Sequence, residues 1–214
     1  MIKVWGRKNA YNVQKVLWLM GELDIDYEHI DVGSMPGDLD TQEFLAKNPN
    51  GRIPLFFDKQ TYIWESNTIL RYLAASYGKG EFWNDCPVTR THIDRWLDWE
   101  LSTLQPDFLG LFWNYYRTPQ EQHNHQQIEY FRTRCALRFE LINNHLKNNQ
   151  YMIGETFSIA DIAVGTCLYR YFTMDLEIAP LNQVNDWYRL LLQRPSYKNN
   201  IAVAFEELKG RLEF

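Results

Sequence analysis

Two short apolar runs joined by a polar turn, and followed at once by a helical pattern, most constrain the fold of this chain. The runs cover Ile53–Phe57 and Tyr62–Trp64, and both are rich in β-branched and aromatic residues. This pattern predicts a β-hairpin. Ser66 stands just before an apolar repeat that begins at Ile69, which predicts a helix with Ser66 as its N-cap. A hairpin therefore leads directly into a capped helix.

The proline in the first run has two possible meanings. Pro54 lacks a backbone N–H, so it belongs at the start or edge of a strand, and the Ile53–Pro54 bond is a candidate cis peptide. Such a turn leaves backbone groups of Ile53 facing outward, where an extended peptide could pair with them. The helix N-terminus at Ser66 offers N–H groups to a carboxylate. Taken alone, these residues favour the simpler alternative, an ordinary edge strand followed by an ordinary cap.

Composition and charge exclude several classes of protein. The net charge is −5 without a basic block, which argues against a nucleic-acid partner. No apolar run approaches the roughly 20 residues of a membrane helix, and the N-terminus has no signal-peptide pattern. Cys86, Cys135 and Cys167 are widely spaced, which favours a reduced, cytoplasmic setting. The histidines form no recognisable metal set, and the pair His123 and His125 reads as solvated rather than ligating.

The order of the predicted elements divides the chain into two domains and a linker. Strand, helix and strand open the chain, and the hairpin and capped helix follow to about residue 77, giving βαβ–ββα with a mixed four-stranded sheet. Residues 78–87 contain two glycines and a proline and are predicted as the linker. Residues 88–214 show only helical spacing, including a capping-box pattern at Ser158 and Asp161. An all-helical second domain is therefore expected.

The turn after the first strand is a natural site for an anion or a thiolate. Residues 7–12 contain no Ser, Thr or Cys there, so the turn supplies no nucleophile of its own. The amides of Asn9 and Asn12 can still donate to a thiol that a ligand brings, and so lower the pKa of that thiol. The alternative is structural, with Asn9 as the helix cap and Asn12 as a surface residue.

In order and spacing, these motifs resemble the cytosolic glutathione S-transferase superfamily over nearly the whole chain. The matching features are the run Asn48–Pro54, the pair Glu65-Ser66 that opens a helix, and the capped segment Phe157–Ile162. The opening Gly6–Val16 resembles a bacterial branch of serine or nu type rather than the tyrosine type. The resemblance implies a thioredoxin-like N-terminal α/β domain and an all-α C-terminal domain.

The resemblance also implies where glutathione, the co-substrate, would bind. The backbone of Ile53, beside cis-Pro54, would pair with the cysteinyl part of the peptide. Ser66 and the helix N-terminus would take the γ-glutamyl carboxylate, and Glu65 would take its ammonium group. Arg52 lies where many relatives have a polar or basic residue near the peptide. No metal is implied.

Two positions depart from the pattern of the family. Serine-type relatives have the thiolate-stabilising Ser where this chain has Ala10. Relatives of the nu type use an asparagine at the position of Asn12, so Asn12 is the first candidate for this role and Asn9 the second. Asp40 lies near where several relatives have a Lys or His for the glycyl end. An acidic side chain at this position would weaken binding of the glycyl carboxylate if it faces the site.

The implied function is glutathione-dependent transfer to a hydrophobic electrophile, in detoxification, with glutathione peroxidase or disulfide-reductase activity as possible additions. Trp113 and Tyr116, expected to face the cleft, are candidates for the hydrophobic substrate site. A cytoplasmic homodimer is expected. The alternative is a non-catalytic member that binds glutathione or a hydrophobic ligand, because the usual serine is Ala10. A thioredoxin-type oxidoreductase fits less well, because the first turn has no cysteine.

Overall fold

The structure is a computed structural model that describes residues 1–35 and 37–212. Up to residue 77, the described residues form four strands and three helices: β1 (Ile2–Trp5), α1 (Tyr11–Glu22), β2 (Tyr27–Ile30), α2 (Gln42–Lys47), β3 (Leu55–Asp58), β4 (Thr61–Trp64) and α3 (Ser66–Tyr77). The strand order is β2-β1-β3-β4, with β1 parallel to β2 and antiparallel to β3. The predicted mixed four-stranded sheet is therefore confirmed.

The side chains of β1 and β3 point alternately to the two faces of the sheet, and both faces are buried. Val4 lies opposite Phe56 in the β1–β3 register, and both join the large core shared with α1 and α3. The next pair, Trp5 opposite Leu55, points the other way and packs with Phe44 of α2. Successive side chains of a strand point to opposite faces, so the apolar runs cover both sides of the sheet.

The hairpin is tighter than its sequence predicts. The β3–β4 ladder runs through Asp58 opposite Thr61, so only Lys59 and Gln60 form the turn. Both turn residues have positive φ, 47° and 69°. This is the requirement of the two-residue turn whose twist matches the strands. At the other end, the Ile53–Pro54 bond is cis, as predicted, and β3 begins only after it, at Leu55.

The predicted cap of α3 is wrong by one residue. Glu65 occupies the N-cap position with φ 68° and ψ 114°, and Ser66 is already the first helical residue. The chain leaves β4 through the left-handed conformation of Glu65, so helical geometry starts one residue later than a serine cap would require. The structural alternative for Asn9 is also wrong, because Ala10 is the N-cap of α1. Neither N-cap has a side-chain capping bond.

The rest of the described chain is helical. A nearly continuous helical run comes first. It consists of α4 (Pro87–Trp99), a π-helical segment (Glu100–Leu104), α5 (Gln105–Leu111) and a second π-helical segment (Phe112–Arg117). The helix was expected to kink or restart at Pro106. Instead the backbone stays helical through Leu104 and Gln105. Just before the proline, the hydrogen bonds change from the α-helical to the π-helical pattern. A proline removes one helical hydrogen bond, and a π-helical turn accommodates it.

The remaining helices close the core around α1. They are α6 (His125–His145), α7 (Ile159–Gly165), α8 (Leu168–Thr173), α9 (Asn182–Gln193) and α10 (Pro195–Asn200), with short 3₁₀ turns at Gln120–Gln122, Leu146–Asn148 and Glu206–Leu208. The capping box of Ser158 and Asp161 is confirmed at the start of α7. Helix α1 packs against α3, α7 and α10, which explains why most of it is buried.

The thioredoxin-like α/β part and the all-helical part are therefore as expected. The division at residues 78–87 stays a prediction, and the last two residues of the predicted helical domain, 213 and 214, lie outside the described residues. Within the described ranges, no helix is both long and apolar enough to cross a membrane.

Candidate active site

Two helix N-termini meet at the edge of the sheet. Helix α1 starts after β1, and α3 starts after β4. The Ser66 hydroxyl donates a hydrogen bond to Oδ1 of Asn12, at 3.3 Å, which joins the first turns of the two helices. Oδ1 of Asn12 is the acceptor in this bond, and in the part of the chain that the structure describes Nδ2 of Asn12 donates to no group. The serine therefore fixes the asparagine and leaves its amide donor available.

Most of the predicted site residues line one cleft between the two halves of the molecule. The cavity has a volume of about 410 Å³. Six residues that the sequence marked contribute to its wall: Asn9, Ala10, Asn12, Arg52, Ile53 and Trp113. Ser66 is 4% exposed and reaches this cleft through its bond to Asn12. Pro54 is buried next to Ile53, and Glu65 is exposed on the surface next to Ser66.

Tyr116 does not join Trp113 in this cleft. Its ring is 6% exposed, stacks on Phe112 with centroids 5.3 Å apart, and lines a separate cavity with His123. An α-helix would place residues three apart on the same face. The wider turn of the π-helical segment Phe112–Arg117 separates them, so Trp113 enters the cleft while Tyr116 points away from it.

Asn9 lines the cleft, but its amide is already used. Its Nδ2 donates to Oε1 of Glu207 at 2.7 Å, and its backbone carbonyl accepts from Nη2 of Arg170 at 2.5 Å. The donor that would stabilise a thiolate therefore points to a carboxylate of the C-terminal segment. Between the two predicted asparagines, the geometry favours Asn12.

A buried asparagine side chain holds the loop before the cis peptide. Asn48 is 1% exposed, and its Nδ2 donates to the carbonyl of Arg52 at 2.7 Å. This bond fixes the backbone that leads into Ile53 and leaves the Arg52 side chain exposed at the rim of the cleft. Glu65 is held in a left-handed conformation that costs a non-glycine residue about 1–3 kcal/mol, and such residues concentrate at binding sites.

Asp40 does not line the cleft. Asp40 lies in a neighbouring recess, and among the described residues Leu39 and Gly51 line both this recess and the cleft. The expectation that Asp40 weakens binding of the glycyl carboxylate therefore stays a prediction. Within the described ranges, no three His, Cys, Asp or Glu side chains come together as a metal ion would require.

A buried ion pair behind the site was missed by the sequence reasoning. Nζ of Lys15 lies 2.7 Å from both carboxylate oxygens of Glu100, and both side chains are fully buried. The same carboxylate accepts from the Tyr11 hydroxyl at 3.1 Å and from Nδ2 of Asn67 at 3.3 Å. Glu100 therefore ties the first turns of α1 and α3 to the helical half. A lysine on the apolar face of α1, between Val13 and Val16, was a signal in the sequence.

Three arginines in the cleft wall were also missed. Arg7, Arg117 and Arg170 line the cleft together with Arg52. Burial, and beyond it the neighbouring arginine charges, lowers the pKa of the first three to about 10. That is still well above neutral pH, so all three are charged. Nothing in the sequence pointed to them, because they lie on segments more than 50 residues apart.

The chain is similar to known proteins along nearly its whole length. Two family models match it: the glutathione S-transferase N-terminal domain at residues 1–75 and the C-terminal domain at residues 104–195. Glutathione S-transferase GstB of Escherichia coli strain K12 is 36% identical over 205 residues, which cover 95% of this chain and 99% of GstB.

Solved structures agree with this similarity. The theta class glutathione S-transferase of Xanthomonas axonopodis pv. citri, with glutathione bound, superposes with a TM-score of 0.90 at 36% identity, covering 95% of this chain and 98% of that one. A glutathione S-transferase of Pseudomonas fluorescens Pf-5 has a TM-score of 0.79 at 27% identity, covering 91% and 96% of the two chains.

Proposed function

The chain belongs to the glutathione S-transferase family, and from this premise we propose that it joins the thiolate of glutathione to an electrophilic carbon of a small hydrophobic substrate. The thiol loses its proton to water, the sulfur forms a bond to carbon, and the leaving group departs with its electron pair. The observation that carries the proposal is the pair Ser66 and Asn12, hydrogen-bonded at 3.3 Å across the start of two helices beside the cleft.

The peptide-binding side of the cleft consists of the segments around the cis peptide and the start of α3. The backbone of Ile53 beside cis-Pro54 pairs with the cysteinyl part of glutathione. Ser66 and the N–H groups of α3, which has no side-chain cap, take the γ-glutamyl carboxylate, while Glu65 takes the ammonium group. Arg52 lies at the rim on this side. The relative from Xanthomonas, similar over nearly its whole length, was solved with glutathione bound.

Asn12 is the group that stabilises the sulfur in this proposal. Ala10 has no hydroxyl to donate, and the amide of Asn9 is bonded to Glu207. The hydroxyl of Ser66 holds Oδ1 of Asn12, so Nδ2 is oriented as a donor. The N-terminus of α1 adds a favourable dipole for a negative charge. Trp113 lines the same cleft and offers an apolar ring to the second substrate.

The substitution Asn12→Ala tests this assignment. A hydrogen bond to a charged group contributes about 1.5–3 kcal/mol. Without the Asn12 amide, the pKa of the thiol of bound glutathione should therefore rise by about one to two units. The value of kcat/KM for an aromatic electrophile should fall by about 10- to 100-fold at neutral pH. The thiolate absorbance of bound glutathione, titrated with pH, gives the first quantity. Asn144→Ala, an exposed asparagine of α6, is the matched control and should match the wild type.

The alternative is a non-catalytic protein that binds glutathione or an apolar ligand. It predicts that glutathione binds with an unshifted thiol pKa and that panels of electrophiles, peroxides and disulfides are not turned over. That result would overturn the transferase proposal. Turnover of peroxides or disulfides alone, with the same dependence on Asn12, would move the activity from conjugation to reduction.

The proposal includes a cytoplasmic homodimer, as expected from the family, and a linker between the two domains at residues 78–87. Light scattering on the purified chain gives the mass of the particle, and a mass of one chain would contradict the dimer. Limited proteolysis that cuts first within residues 78–87 would support the division.

A further inference from the structure

The cavity that Tyr116 lines is a second enclosed space in the helical half of the molecule. It lies between the second π-helical segment, the start of α6, the end of α8 and the C-terminal segment, and its volume is about 400 Å³. This volume falls within the range of small-molecule sites. Its described wall shares no residue with that of the cleft. We call it the tyrosine cavity, and its wall includes Tyr115, Tyr116, His123, Met174, Asp175 and Lys209.

Aromatic rings contribute much of the wall of the tyrosine cavity. The Tyr116 ring is held in place by Phe112, on which it stacks, and by Phe205, whose centroid lies 4.9 Å away. The rings of Tyr115 and His123 lie close together, with centroids 6.0 Å apart. The faces of tyrosine rings carry a negative partial charge and attract cations.

A cation of the chain already lies near one of these rings. Nζ of Lys209 is 5.9 Å from the centroid of the Tyr116 ring, which is within the range of a cation–π interaction. The side chain of Lys209 is exposed, so it can move into solvent when another cation takes this position. The ring face of Tyr116 is therefore a place where a positive charge is stable.

The charges around Tyr116 are mainly negative. Burial is the largest cause of the raised pKa of the Tyr116 hydroxyl, and the charges of Glu206, Asp175 and Glu207 raise it further. The positive charge of Arg170 has the opposite but the smallest effect. A carboxylate raises the pKa of a tyrosine only where its negative potential reaches the hydroxyl. The tyrosine cavity therefore combines aromatic faces with a negative potential.

The backbone fixes the acid that lines this cavity. Asp175 follows α8 in the left-handed conformation, with φ 57°, and its carbonyl accepts a hydrogen bond from the Tyr115 hydroxyl at 3.1 Å. This conformation is uncommon for a residue other than glycine, and such residues concentrate at binding sites. The aromatic wall thus holds the segment that carries the carboxylate.

We propose that the tyrosine cavity binds an aromatic ammonium ion, whose charged group lies against the Tyr116 ring near Asp175 and whose aromatic ring packs on Met174. A cation gains from the ring faces and from the carboxylate together, whereas a neutral aromatic molecule gains only from apolar packing. This site is additional to the proposed transferase activity and does not depend on it. An aromatic anion, which Lys209 would attract, is the competing ligand.

Three naphthalenes of similar size test the charge of the ligand: 1-naphthylmethylammonium, 1-naphthylmethanol and 1-naphthoate. Each is titrated into the ¹⁵N-labelled full chain, where amide shifts report both the Kd and the place of binding. We expect the ammonium ion to bind about tenfold more tightly than the alcohol and the naphthoate to bind most weakly. The largest shifts should fall within residues 115–128 and 174–175, and added salt should reduce the preference for the cation.

The variant Asp175→Asn removes the carboxylate and keeps the backbone, because asparagine tolerates the left-handed conformation. The Kd of the ammonium ion should rise by about fivefold, and that of the alcohol should stay within about twofold. Asp24→Asn is the matched control, since Asp24 is also exposed and has φ 51°. It should leave both values unchanged.

The variant Lys209→Gln should have the opposite effect. It removes the cation that competes for the Tyr116 ring, so the ammonium ion should bind about threefold more tightly. Lys198→Gln, at an exposed lysine of α10, is the control for the loss of one positive charge.

Four outcomes would overturn the proposal. They are binding of none of the three compounds, equal binding of all three, tightest binding of the naphthoate, and shifts confined to the residues of the glutathione cleft. An ammonium affinity that does not respond to Asp175→Asn or to Lys209→Gln would also overturn it. Both substituted side chains are exposed, so the two variants should fold as the wild type does.

Discussion

Replacing the buried lysine of α1 separates two views of the ion pair behind the site. In Lys15→Met the side chain keeps its length but loses its charge. The carboxylate of Glu100 then loses two contacts of 2.7 Å and keeps only the Tyr11 hydroxyl at 3.1 Å and the Asn67 amide at 3.3 Å. A fully buried negative charge would remain without a cation.

The cost of this change follows from desolvation. Burial lowers the pKa of Lys15 even though Glu100 raises it, so the loss of water outweighs the attraction within the pair. Such a pair adds little net stability, yet removing one partner from a buried pair costs about 3–5 kcal/mol because the other charge is stranded. The total stability of a domain is only about 5–15 kcal/mol. We therefore expect Lys15→Met to lose about 3–5 kcal/mol, or about 6–20 °C in Tm.

A double-mutant cycle measures the expected coupling. Urea unfolding is compared for the wild type, Lys15→Met, Glu100→Gln and the double variant, all at one protein concentration. The double variant has no stranded charge, so it should be more stable than Lys15→Met alone by at least about 1–2 kcal/mol. Glutathione affinity should fall in Lys15→Met, because Lys15 is one turn after Asn12 and Asn67 follows Ser66.

Two results would refute this reasoning. A loss of less than about 1 kcal/mol in Lys15→Met would mean that water or a neighbouring group compensates the carboxylate. Additive losses in the double variant would mean that each side chain contributes by packing alone, without charge coupling. In either case the ion pair would not be what joins the two helix N-termini.

Two further predictions follow from close packing and thiol environment. A Cβ on Gly110 would lie 2.3 Å from the Phe131 ring, so Gly110→Ala should destabilise the protein by about 1–3 kcal/mol in urea unfolding. The double variant Gly110→Ala/Phe131→Leu should recover part of this loss. An unchanged unfolding midpoint in Gly110→Ala would contradict the prediction. Backbone N–H groups at the start of α4 lower the pKa of the exposed Cys86 thiol, whereas burial raises the pKa of Cys135 to about 12 and that of Cys167 well above its usual value. A chromogenic disulfide reagent should therefore titrate one thiol in the native chain and all three in denaturant, and fast reaction of a second native thiol would be incompatible with this burial.

The features that the sequence predicted correctly depend on neighbours along the chain. The hairpin, the cis bond at Pro54 and the capping box of Ser158 and Asp161 all follow from turn and cap chemistry within a few residues. The same locality explains the small errors. The choice between Glu65 and Ser66 as N-cap was decided by how the chain leaves β4, which residue preferences do not specify.

The chemistry of the cleft depended on contacts that only the tertiary structure forms. The hydrogen bond between Ser66 and Asn12 spans 54 positions and the pair of Lys15 and Glu100 spans 85. Tyr116 was expected beside Trp113 in the cleft from the family resemblance, but it lines a separate cavity because the helix there has π-helical hydrogen bonding.

By itself, the sequence determined the family resemblance, the α/β and helical halves and the hairpin with its cis-proline, because periodicity, turns and caps are local. The tertiary structure alone decided that the Asn9 amide bonds to Glu207 while Asn12 is held by Ser66, and that Arg7, Arg117 and Arg170 line one cleft. Charges on distant segments interact strongly only when folding brings them close and removes the water between them. The distance between two charged groups in the folded protein cannot be read from their order in the sequence.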